Sequence, residues 1–195
     1  MKASFLKRVG SFVIDSVFLS ILFTIITIGL NVDTKNISEE VTKTLKLYES
    51  GDITIDEYLD KTLELNYQLQ KNSLVVNSLN IVLYVGYFMI FGYLNNGQTI
   101  GKKICKIQVV NNKGDKLSIC NMIVRSLFIY GIFTLLYSVI FVNILNKEMF
   151  GYGYVIVSYL EIIFMTIAFF MILYKKDGRG IHDIIANTNV IEEVK

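Results

Sequence analysis

The sequence predicts an all-α membrane protein: four transmembrane helices, an extracytoplasmic helical hairpin and a small cytoplasmic β element. Three observations predict it. The 195-residue chain is 53% hydrophobic and has no proline or tryptophan, and its mean hydropathy of +0.49 is high for a soluble domain. Four apolar runs of about twenty residues occur, each long enough to cross a bilayer core. Lysine and arginine gather in alternate connections between those runs, as they do on the inner side of a membrane.

The first run spans 9–30. Lys2, Lys7 and Arg8 precede it, as in a signal peptide. The run is long for a signal core, contains Asp15 and meets no small-x-small site before Asn31–Asp33, so a retained first span is expected. The loop 31–73 follows, with nine acidic residues against five lysines. In it Ile37, Val41, Leu45 and Tyr48 recur at helical spacing, and Gly51-Asp52 breaks the pattern. Thr54 with Glu57 three residues on forms a capping box, and Ile55, Leu59, Leu63 and Tyr67 continue the periodicity. A helical hairpin is predicted, covering the outer ends of the spans or capturing a ligand or partner.

The second span is 74–94. The loop 95–121 carries Lys102, Lys103, Lys106, Lys113 and Lys116. Within it Ile104, Ile107, Val109 and Val110 form a β-like run, residues 111–115 are turn chemistry, and Leu117 with Ile119 suggests a return strand. The third span is 122–145 and the fourth 154–174, with Tyr93, Tyr152, Tyr154 and Tyr174 near span ends as an interfacial belt. The tail 175–195 opens on Lys175-Lys176, and its Thr188–Ile191 stretch is β-prone. A small sheet joining loop and tail is expected. The charge pattern places both termini and the second loop in the cytoplasm, and residues 1–195 read as a single membrane domain.

Charges inside the spans carry the functional expectations. Asp15 lies seven residues after Arg8, about two turns of helix. An acid in an apolar run costs on the order of 2.5–3.5 kcal/mol on insertion scales, so it faces a protein interior, a partner or a water path. Asp15 is expected either to pair with Arg8 or Arg125 or to bind a cation or proton. Arg125, near the inner start of the third span, is the candidate ion-pair partner, with snorkelling to headgroups as its alternative. Glu161 is a second intramembrane acid nearer the outer side, and with Asp15 it forms a candidate ion or proton path. Asn77, Asn80, Asn143 and Ser158 suit hydrogen bonds between helices.

The glycine-containing stretch 97–103 lacks the spacer and ending of a phosphate loop. It reads as a membrane-exit turn with Lys102 and Lys103 at anionic headgroups. His182 beside Asp183 suggests a tail-anchoring hydrogen bond or a pH switch. Cys105 and Cys120 give no extracellular disulfide framework. No metal ligand set, cofactor fingerprint or catalytic triad is present, so neither metal nor cofactor nor enzyme activity is expected. The net charge of +2 gives no reason to expect nucleic acid.

Three segments resemble the RDD family of bacterial membrane proteins: Lys7-Arg8-Val9-Gly10-Ser11-Phe12-Val13-Ile14-Asp15; Asn96-Gly97-Gln98-Thr99-Ile100-Gly101-Lys102-Lys103 with Lys106–Val110 and Val124-Arg125-Ser126; and Gly180-Ile181-His182-Asp183-Ile184-Ile185-Ala186-Asn187-Thr188. The family is named for one arginine and two aspartates, matched by Arg8, Asp15 and Asp183. The resemblance implies a multi-pass inner (plasma) membrane protein. Transport is suggested for the family, some members looking like cation/proton antiporters and others associating with membrane complexes. The long outer loop and Glu161 depart from its pattern. Two functions are therefore expected: transport of a small cation, proton or other small solute, or a non-transport scaffold of a larger complex. Four helices are few for a complete path, so a homo-oligomer or a membrane protein partner is expected within the lipid bilayer.

Overall fold

The computed structural model describes residues 2–30, 35–112 and 117–193. Helix α1 (Phe5–Thr27) starts where the Ser4 side chain accepts from the Lys7 N–H, an N-cap that satisfies a free backbone donor. It begins a turn before the apolar run because the cap, not the first apolar side chain, sets the start. Arg8 therefore lies inside the helix. Asn31–Asp33, read as the polar end of the run, lies outside the described residues.

The expected helical hairpin is α2 (Lys35–Glu49) and α3 (Ile55–Asn72). Gly51 turns the chain at φ 81°, a left-handed conformation that glycine adopts without steric cost. Thr54 and Glu57 make the reciprocal capping box, and Tyr48 stacks on Tyr58 at 4.9 Å. Ser73 interrupts the helix for one residue before α4 (Leu74–Tyr84). The helix then widens to a π-helical stretch, Val85–Phe91, and closes with α5 (Gly92–Leu94).

After a turn, α6 (Ile100–Ile104) packs on α1. Ile104 ends this helix and is not part of the strand, as the apolar run had suggested. Strand β1 (Ile107–Asn111) pairs antiparallel with β2 (Thr188–Glu192), Val109 opposite Val190. The loop and the tail thus form the expected sheet. Ala3 N donates to Val190 O at 3.1 Å, which brings the N-terminus to the same end. Ala3, Ile107, Val109, Met122 and Val190 form its core. Of the expected turn, Lys113–Asp115 lies outside the described residues, as do Lys113 and Lys116 of the cationic loop. No return strand forms from Leu117 and Ile119: Leu117 packs on the sheet core and Ile119 opens α7.

The third span is the main departure. Residues 122–145 are not one helix but α7 (Ile119–Ile129) and α8 (Ile132–Phe141), bent by 87°. Gly131 sits between them at φ 69°. The left-handed residue ends the ladder of α7, and apolar counting cannot detect such a break. Helix α9 (Lys147–Tyr174) starts two turns before the expected 154 because Asn146 caps it by accepting from Met149 N. Among the described residues three helices are long and apolar enough to cross a membrane: Phe5–Thr27, Leu74–Leu94 and Lys147–Tyr174. The bent pair is a fourth if it counts as one span. Helix α10 (Ile181–Ile185) then leads into β2.

Candidate functional site

Two buried carboxylates organise the end of the bundle that carries the sheet. Asp15, facing inward from the middle of α1, is 1% exposed. Its oxygens accept from the Tyr87 hydroxyl at 2.5 Å, the Thr99 hydroxyl at 2.5 Å and Gly101 N at 2.7 Å. Tyr87 reaches it from the π-helical stretch, where the extra residue per turn re-aims side chains. The same hydroxyl accepts from Ile100 N at 3.1 Å. Gly101 is required by close approach: a Cβ there would strike the Ser11 carbonyl oxygen and lie 2.8 Å from Asp15 Oδ1. Lys102 Nζ donates to Thr99 Oγ1 at 3.2 Å and to the Tyr130 hydroxyl at 3.4 Å. Burial and the Arg125 charge bring the Lys102 ammonium down to about 8, opposed by Asp15, so it stays protonated at neutral pH.

Asp183 is fully buried. Arg125 Nη1 forms an ion pair with its Oδ1, and Arg8 Nη1 approaches its Oδ2 at 3.3 Å. Thr188 Oγ1 donates to Oδ1 at 3.2 Å and Gly180 N to Oδ2 at 3.3 Å. Arg8 Nη2 donates to Val190 O at 3.1 Å. One carboxylate thereby ties α1, α7, α10 and the sheet together.

These contacts correct two expectations. Arg8 and Arg125 were expected at Asp15, yet both meet Asp183. The tail returns between α1 and α7 and supplies that carboxylate, while α6 fills the space around Asp15 with neutral donors. Lys102, expected among lipid headgroups, is 5% exposed and points into the bundle, whereas Lys103 is exposed. Arg8 and Asp183 do come together, and Asp15 sits in the adjoining set.

His182, expected to anchor the tail through a hydrogen bond, makes none: both ring nitrogens are buried without a partner, as is Arg8 Nε. Burial and the charges of Arg125, Arg8 and Lys102 hold its pKa well below the usual imidazole value. The ring is neutral, and its 3.5 Å approach to Asp183 is not an ion pair.

A cavity of about 300 Å³ joins the two sets. Arg8, Asp15, Lys102, Arg125 and His182 line its floor, and side chains of α1, α7 and α9 form apolar walls. That volume is at the lower end of the ~300–1,000 Å³ typical of small-molecule sites.

Glu161 lies elsewhere. It accepts from Phe133 N at 3.1 Å, from Thr134 N at 3.3 Å and from the Thr134 hydroxyl at 2.5 Å. It supplies the N-terminal cap that Gly131, lacking a side chain, cannot give α8. It does not line the cavity, and among the described residues no hydrogen bond connects it to Asp15.

Tyr87, Thr99, Gly101, Tyr130 and Thr188 join the site without being among its sequence-predicted residues. Thr99, Gly101 and Thr188 lie within motif segments already noted, so their signal was there; Tyr87 gave none, because a π-helical register has no apolar period of its own.

The model of the RDD family matches residues 2–187. No curated protein and no solved structure matches the chain.

Proposed function

The chain belongs to the RDD family, and from that premise we propose that it binds a small solute in the cavity of α1, α7 and α9 and carries it across a membrane. The observation that supports this reading is the cavity itself. Its floor is built from the family arginine, the first family aspartate and the partners of the second. A purely structural set would pack this floor shut. Here the buried polar groups instead border about 300 Å³ of free space at one end of candidate spans. Arg8, Asp15 and Asp183 fix the floor, and the remaining donors of Lys102 and Arg125 meet the solute. A second copy or a partner protein would complete the path, since four spans are few for one. The bilayer is the inner membrane of a bacterium, with both termini on its cytoplasmic face.

Ala168 lines this cavity and is small and buried, so Ala168→Phe fills the cavity without touching a charge. Proteoliposomes receive in turn gradients of protons, sodium, potassium and inorganic phosphate, and an asymmetric load of a short-chain anionic lipid. At least one should dissipate faster than in protein-free vesicles, and the filled variant should fall back to that leak while remaining monodisperse. Dissipation of none of them, or one unaffected by the filling, overturns the transport reading.

The second reading, a non-transport scaffold, is favoured by Asp15 and Glu161. Each acid already accepts three hydrogen bonds. A proton or cation relay through both would have to break those contacts.

A further inference from the structure

We propose that the occupant of this cavity is an anionic lipid, taken from the bilayer with its head on the polar floor and part of one chain between α1 and α9. The inference rests on the binding half of the preceding reading and names the class of ligand. Three observations carry it.

The first is charge. Among the described residues, Arg8, Lys102 and Arg125 are the cations at the floor, and Asp15 and Asp183 are the buried carboxylates beside them. Three cations against two anions leave one positive charge uncompensated. A buried excess charge is costly unless something pairs with it. Asp177, whose charge also reaches Arg8, is paired with Arg179 at 3.1 Å and so adds no net charge.

The second is unused hydrogen bonding. His182, 1% exposed, lines the cavity with neither ring nitrogen bonded, and Arg8 Nε is buried and unpaired. Buried polar atoms normally find partners. A phosphate ester offers acceptor oxygens to Arg8, Lys102 and Arg125, and glycerol-type hydroxyls suit the neutral imidazole. A metal cation or proton would meet a charge of its own sign.

The third is shape. The walls are Phe5, Val9 and Phe12 on α1, facing Met165, Phe169 and Ile172 on α9. On each helix these recur at helical spacing, so two apolar stripes face one another. Phe5 meets Phe169 edge-on at 5.4 Å. Along the slot Val9 is 38%, Phe12 40%, Met165 37% and Phe169 47% exposed. The cavity therefore opens sideways, between two candidate spans, towards the place a lipid tail occupies. A free aqueous anion has no use for such a slot.

The chain has no tryptophan, so a single introduced one reports its own surroundings. Phe169→Trp places it in the slot. Ile162→Trp, at an exposed position of the same helix, is the control. Both full-length variants are reconstituted in zwitterionic vesicles. Phosphatidylglycerol or phosphatidylcholine with brominated chains is then titrated in at equal surface fraction.

The slot tryptophan should be quenched at least fivefold more effectively by the anionic lipid, while the control sees no preference. Adding Ala168→Phe should abolish the preference. Equal quenching of the slot tryptophan by both lipids overturns the proposal. So does loss of the preference on adding millimolar inorganic phosphate at constant ionic strength, which would mark a site for the free anion. This readout is an equilibrium one. Selective quenching without transbilayer movement would remove the transport reading and leave the lipid site standing.

Discussion

Asp15 and Asp183 are both acids withdrawn from solvent, yet their surroundings differ in kind. Around Asp15 the donors are neutral: two hydroxyls and a backbone N–H. Lys102 reaches it through Thr99. Around Asp183 two arginines contribute full charges. Asp15 thus works as a geometric node that fixes α6 and the π-helical stretch against α1. Asp183 works as a charge node that permits two guanidinium groups inside the bundle. Two family aspartates that look equivalent in sequence consequently carry different energetic loads.

The largest effect is expected where the charges are. Asp183→Asn leaves Arg8 and Arg125 facing an amide. Breaking a buried pair by removing one partner costs about 3–5 kcal/mol. Thermal unfolding of the purified protein in detergent, read by circular dichroism, should show a loss of that order. The sheet and α10 should loosen first, because Thr188 and Gly180 also hydrogen-bond to this carboxylate. A loss under about 1 kcal/mol would place the pair in the solvent-screened class and break the comparison.

A smaller effect is expected at Asp15. Asp15→Asn keeps one carbonyl oxygen and turns an NH₂ towards a former donor. Leaving one buried donor unsatisfied costs about 1–3 kcal/mol. The Thr99 hydroxyl can rotate to accept from the new amide, which pulls the value to the lower end. The same melting measurement, run beside Asp183→Asn, tests the order. If Asp15→Asn proves the more damaging, the uncompensated charge of Lys102 weighs more than the geometry.

These differences also explain what the sequence could disclose. Local chemistry was readable: the Thr54–Glu57 capping box, the Gly51 break and the β-prone segments around Val109 and Val190 all form as their residues imply. So were the long apolar helices, since hydropathy is summed over many positions. What failed depended on distant parts of the chain. Counted along their apolar runs, Arg125 and Asp15 read as similar in depth, and that alone makes them look like partners. The competitor, Asp183, is set beside Arg125 only after the tail folds back as α10 and β2. Lys102 is adjacent to exposed Lys103, and only the short helix α6 decides which of the two turns inward. The break at Gly131 was hidden because glycine is tolerated in transmembrane helices, so its presence alone does not announce a left-handed turn.

Glu161 sharpens the comparison at the small end of the scale. Like Asp15, it is an acid held by neutral donors, two backbone N–H groups and one hydroxyl. Unlike Asp15, it is only partly buried and sits at a helix N-terminus, where a negative charge gains roughly 0.3–1 kcal/mol from the helix dipole. Glu161→Gln removes that charge but keeps a carbonyl oxygen for Phe133 N, and Thr134 can turn its hydroxyl to accept from the new amide. A loss below about 1 kcal/mol should follow, well under that of Asp183→Asn, with any flux of the wild-type protein retained. The two readings of this residue then separate cleanly in the proteoliposome measurement. Abolished flux in a Glu161→Gln protein that melts normally would show that the carboxylate moves protons or cations, and would return it to a path shared with Asp15. Retained flux with a slightly lowered melting point would identify Glu161 as the cap that lets α8 begin after a glycine.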